Sequence, residues 1–273
     1  MFLMTDSTLL TEIVKSADAS KTIISLLGYQ FLSPSVDAVG TGMSQIIRDN
    51  LERVREVILR KRKEKDSEMN FRIAMEGFRS AVFLDSKIAA EYFGGILASS
   101  GASGDDALMS HLAIVKDLSS KQLFLHYVIY RSIHNITSSL NKTWKNRNLG
   151  LNSDINNLKI VFSGLEFDTI KLSPAEDSEI LYRAGLISSY KYDQLKVDSD
   201  HTLPYVEFSP TTLGFQLYAA VQNEYENWRE VLKLDLPTFP DIELPSIYFE
   251  SLEQLSDFAQ KNHTEDGREN IQD

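Results

Sequence analysis

Ser173-Pro174-Ala175-Glu176 opens a short helix that runs into Leu181-Tyr182-Arg183-Ala184-Gly185-Leu186-Ile187. Tyr190–Val197 and Tyr205–Phe208 follow as two strands, and Ser209-Pro210-Thr211-Thr212-Leu213-Gly214 starts a further helix. Helix, hairpin and helix in this order predict the back half of a winged helix. Such modules usually meet nucleic acid. Here the helix that would enter a groove carries Glu176, Asp177 and Glu179, and it offers only Arg183, near its C-terminal end, to a base edge. The expected use of this surface is protein binding, with Glu176, Asp177, Glu179, Tyr190 and Tyr192 facing a basic partner.

Charge supports that expectation. Of the net −11, residues 151–273 carry 9 basic and 23 acidic side chains, a local net of −14, whereas residues 1–65 are net +2 and residues 66–150 net +1. A field of that sign repels phosphate, so nucleic acid is not an expected partner of the C-terminal half. The chain has no cysteine, which removes disulfides, thiolate metal sites and cysteine nucleophiles and fits a reducing cytosol. Met1–Leu10 has no basic start and includes Asp6, so no signal peptide is read there. The expected location is cytoplasmic.

Outward from the module, residues 1–150 read as a helical domain of long amphipathic helices. Leu9, Leu10, Ile13, Val14 and Ala17 recur at helix spacing, and Ser33-Pro34 precedes a stripe of Val36, Val39, Met43, Ile47, Leu51, Val54 and Ile58. That helix ends in Arg60-Lys61-Arg62-Lys63, read either as a patch for an anionic partner or lipid headgroup or as a solvated helix end whose cations complement the macrodipole. Phe71, Met75, Phe78 and Val82 mark another helix. Asp85 is expected to cap the next, which holds Gly94-Gly95 and Glu91, with Arg79 as the expected partner of Glu91. The paired glycines imply close approach of another backbone. Asp105-Asp106 reads as the acidic first turn of a further helix. Ser119 is expected to cap a long helix with His126, Tyr130, Arg131 and His134 along a half-buried polar face.

Residues 141–157, rich in Asn and Lys, read as a linker to a winged-helix-like domain at 151–233, whose last helix is expected to continue through Val221–Leu232. An acidic, Pro-containing extension at 234–273 should be extended over Leu236–Ser246, helical over Ile247–Gln260 and disordered from His263. The fold class expected is mainly α, with a small α+β C-terminal domain.

Known catalytic signatures are missing. There is no Gly-Lys-Ser/Thr phosphate loop, no His-Glu-x-x-His and no Gly-x-Ser-x-Gly. His126 and His134 stand two helical turns apart, about 12 Å along the axis, too far to share a metal. The expectation is a non-enzymatic protein with no cofactor and no metal.

Three segments in order carry a likeness: Asp85–Ser100 (with Glu91-Tyr92-Phe93-Gly94-Gly95), Leu118–Tyr130 and Thr211-Thr212-Leu213-Gly214-Phe215-Gln216-Leu217. Together they resemble the Abi-alpha proteins, a bacterial abortive-infection family. The resemblance implies a role in defence against phage and supplies no catalytic residues. The leading expectation is an antiphage-defence protein acting through protein–protein contact, with homo-oligomerisation open. Its alternatives are a membrane-active effector touching the membrane periphery through residues 20–65, and a winged-helix DNA-binding regulator.

Overall fold

A computed structural model describes residues 41–62, 69–81, 84, 86–101, 106–139, 149, 155, 157–199 and 201–269. The described chain is mostly helical and has one small antiparallel sheet. Readings that fall on residues 1–40, Lys63, Asp85, Asp105 and most of 141–157 lie outside the described residues. Two compact units form, one from residues up to Ser120 together with Ala220–Tyr225, the other from Lys121–Ala219 and from Glu226 onward.

The first unit contains α1 (Thr41–Lys61), α2 (Phe71–Ala81), α3 (Lys87–Ser99) and α4 (Asp106–Asp117). Leu51, Val54 and Ile58 of the expected stripe are buried on α1, joined by Val57. α3 touches each of the other three helices, and every residue from Ile88 to Ala98 is buried. A helix apolar on all sides is central for that reason. Its N-cap is Ser86, one residue later than the expected Asp85, and the Ser86 hydroxyl accepts from Ala89 N at 3.3 Å.

The second unit contains α5 (Ser120–Ser139, from Lys121), β1 (Ile160–Ser163), α6 (Gly164–Thr169), α7 (Pro174–Arg183), β2 (Ile187–Lys196), β3 (Thr202–Pro210), α8 (Thr212–Val221, to Ala219), a 3-10 helix (Tyr225–Lys233, from Glu226), β4 (Tyr248–Phe249) and α9 (Leu252–Glu269). The sheet order is β2-β3-β1-β4, all antiparallel, with Tyr192 opposite Val206 and Phe162 opposite both Val206 and Tyr248. Phe162, Phe167 and Phe208 pack edge-to-face on one side of the sheet. On the other, α9 sets Leu255 against Val161 and Tyr205.

The helix–hairpin–helix order is present, and its turns are set locally. Gly185 at φ +72° ends α7: Gly185 N donates to Tyr182 O and Leu186 N to Leu181 O, the paired bonds of a Schellman stop. Thr211 caps α8, its hydroxyl accepting from Gly214 N at 3.0 Å while donating to Gly185 O at 2.7 Å.

Four expectations are corrected. α5 belongs with the second unit, so no boundary falls at 150. α8 stops at Val221, because Asn223 takes φ 62° and a 3-10 helix follows. Ile247–Gln260 is not helical throughout, since Tyr248 and Phe249 pair with β1. α9 then continues to Glu269 rather than breaking off at His263.

Candidate functional site

Three groups of predicted site residues take on definite surroundings. The first is the basic run at the end of α1. Lys61 Nζ lies 2.8 Å from Glu91 Oε2 and donates to Val221 O at 2.8 Å, and its side chain is 6% exposed. The Arg60 guanidinium donates to Glu91 Oε1. Glu91 is therefore held by Arg60 and Lys61, not by the expected Arg79, because α3 packs along α1. Lys61 consequently leaves the expected surface patch of Arg60, Lys61, Arg62 and Lys63. Burial pushes its ammonium down to about 8, against the opposing pull of Glu91. The cation also terminates α8, where helix carbonyls lack partners: Ser99 Oγ takes Ala220 O at 2.7 Å, Lys61 takes Val221 O, and Asn223 Nδ2 returns a bond to Lys61 O at 2.7 Å. Among the described residues, no helix is long and apolar enough to cross a membrane.

The second group is the polar face of α5, which is more deeply buried than expected. His126 and Tyr130 are inaccessible, and His134 and Arg131 are 3% and 8% exposed. Each side chain meets backbone far away in sequence. His126 Nε2 meets Gly214 O at 3.2 Å. The Tyr130 hydroxyl donates to Leu186 O and accepts from Thr211 N at 3.0 Å. Arg131 Nη1 donates to Leu236 O at 2.7 Å, and His134 Nε2 meets Leu234 O at 2.9 Å. Tyr127, read in the sequence only as lying on a face of this helix, accepts from Phe239 N at 2.9 Å and stacks on the Phe239 ring at 4.0 Å. Its signal was there: 127, 131 and 134 lie one and two turns apart on one face. These groups satisfy backbone of the non-regular segment 234–239 and of the turns that flank α7 and α8.

The third group is the outward face of α7 and β2. Glu176 is exposed, and Glu179 accepts from Arg183 Nε at 2.7 Å and from the Tyr190 hydroxyl at 2.8 Å. The Tyr190 and Arg183 bonds hold the Glu179 carboxyl below the usual range. The Tyr182 ring meets Tyr190 edge-on at 6.4 Å. Tyr182 and Tyr192 are 49% and 54% exposed, large aromatics left in solvent. Asp177 does not join this face. It is 8% exposed and turned towards Gln122 and Lys121 of α5, and its burial raises its pKa. Of the five residues expected to meet a partner, Glu179 and Tyr190 touch, with Tyr182 against Tyr190, while Glu176 on α7 and Tyr192 on β2 are exposed. No family model, curated protein or solved structure matches the chain.

Proposed function

We infer that this is a non-enzymatic protein of bacterial antiphage defence, acting by binding a basic protein through the α7–β2 face of a winged-helix-like module. One observation carries the binding reading: α7 presents Glu176, Glu179 and Tyr182 where a DNA reader would carry Arg, Lys, Asn or Gln, and β2 adds the exposed Tyr192. Exposed tyrosines beside carboxylates suit a cationic peptide surface, supplying contact area at low entropic cost and attraction of the right sign. The defence role rests on the likeness of three short segments, Asp85–Ser100, Leu118–Tyr130 and Thr211–Leu217, to the Abi-alpha proteins. The DNA alternative is disfavoured by the same carboxylates. The membrane alternative loses Lys61 and commits Arg60 to Glu91.

Phage challenge of the native operon tests the whole reading. Plaque counts should rise when the gene is deleted and also when Glu176→Lys/Glu179→Lys replaces it, with that variant's circular dichroism unchanged. Equal counts with and without the gene refute the defence role. Full protection by the double variant refutes this face as the binding surface.

A further inference from the structure

β2 is ten residues long and stands at one edge of the sheet, with Lys191, Tyr192, Asp193, Gln194 and Lys196 exposed. The opposite edge strand, β4, has two residues. Among the described residues β2 pairs only with β3, and a long edge of this kind is a template for another strand. Natural edges are usually protected by lysine, but Lys191 is already neutralised: its ammonium reaches Asp193 Oδ2 at 2.9 Å and the Tyr205 hydroxyl at 2.8 Å.

We propose that β2 pairs antiparallel with β2 of a second copy of this chain, about a two-fold axis at Tyr192, joining two four-stranded sheets into one. The register follows from side-chain chemistry. Opposed residues in such a pair share a face, so the axis must fall on a residue. An axis at Lys191 sets lysine against lysine, and an axis at Asp193 sets aspartate against aspartate. An axis at Tyr192 sets Lys191 against the partner's Asp193 and Asp193 against the partner's Lys191. It also pairs Tyr190 with the partner's Gln194 and Ser189 with the partner's Leu195, using nearly the whole strand. Each lysine then lies between two carboxylates, its own Asp193 and the partner's. β3 extends the alternation, since Glu207 stands opposite Lys191 and Tyr205 opposite Asp193. On the other face, the two exposed Tyr192 rings meet at the axis. Opposite charges and aromatic pairs directly across an antiparallel ladder are the favourable combinations. Tyr192 belongs to both this contact and the face read as binding a partner, whereas Glu176 on α7 takes no part in the pairing, so Glu176→Lys tests the partner-binding reading without touching this one.

The full-length protein tests the proposal by sedimentation velocity across the micromolar range. Wild type should show a concentration-dependent dimer. Lys191→Asp and Asp193→Lys should each weaken it about tenfold or more by placing like charges opposite, and Lys191→Asp/Asp193→Lys should restore it. Glu176→Lys should leave it unchanged. The chain has no cysteine, so Tyr192→Cys should oxidise to a linked dimer faster than Tyr182→Cys on α7. A wild type that stays monomeric, single variants that dimerise like wild type, a charge swap that does not restore association, or equal crosslinking of the two cysteine variants would each overturn this pairing.

Discussion

Single atoms decide much of this fold at Gly94 and Gly95. A methyl at Gly95 would stand 2.0 Å from Val221 O, a backbone atom at the end of α8. A methyl at Gly94 would meet the Val57 side chain at 2.5 Å. The close approach expected from the paired glycines is real, but the sequence could not say that one faces a side chain and the other a backbone. Gly95→Ala should cost about 3 kcal/mol of stability in urea unfolding. Gly94→Ala should also destabilise, by about 1–3 kcal/mol, and Gly94→Ala/Val57→Ala should recover only part of that loss, because the Cβ that alanine keeps at 57 still stands 2.6 Å from the added methyl. Lys61 gives a second prediction. Its ammonium has a pKa of about 8 when folded against 10.5 ordinarily. Below 8 it is charged in both states. Between 8 and 10.5 the unfolded chain holds a proton that the folded one has lost, so stability rises with pH. Relative to Lys61→Met, the wild type should gain on the order of 2–3 kcal/mol between pH 7.5 and 10.5. A constant difference between the two proteins would show that the folded Lys61 titrates normally.

At the scale of elements, legibility followed how local the determinants are. α7, β2, β3 and the start of α8 could be read because Gly185, Thr211 and the alternating strands act within a few residues. Leu158–Phe162 could be read either as a strand or as the end of a helix, because β1 is buried along its whole length and shows no alternation, and β4 has only two residues. Asp177 sits among acidic neighbours in sequence, and only packing against α5 reveals that it is buried. The segment 234–239 depends on side chains about a hundred residues earlier, and there His134 makes a testable case. Burial holds its imidazole below the ordinary range, the Leu234 carbonyl opposes that shift, and Arg131 reinforces it, with Asn135 and Asp235 opposing more weakly. A lowered folded value means stability present above about pH 6.5 and lost as pH falls through the unfolded histidine's range. His134→Gln can still donate to Leu234 O but does not titrate. Wild type should therefore lose stability relative to His134→Gln between pH 7.5 and 5 in urea titrations, and parallel pH profiles would show that His134 is not held neutral.

For the whole molecule, composition points to one division and packing makes another. The Asn- and Lys-rich composition of 141–157 reads as a linker, but it does not say which unit owns the helix before it. The better signal is on α5 itself, where His126, Tyr130, Arg131 and His134 interrupt an apolar helix and need partners once buried. Those partners are backbone groups of Leu186, Thr211, Gly214, Leu234 and Leu236. Removing α5 would open those groups to water, losing about 0.5–1.5 kcal/mol for each bond, and would also strip away the buried Leu125, Val128, Ile129 and Ile133, each worth about 1.5–3 kcal/mol. That loss is comparable with the roughly 5–15 kcal/mol by which a domain is usually stable. A fragment of residues 121–273 should therefore melt cooperatively by circular dichroism, and a fragment of residues 151–273, cut where composition suggests, should not. Equal cooperativity in the two fragments would mean that α5 is dispensable and that its buried polar face stabilises nothing essential to the second unit.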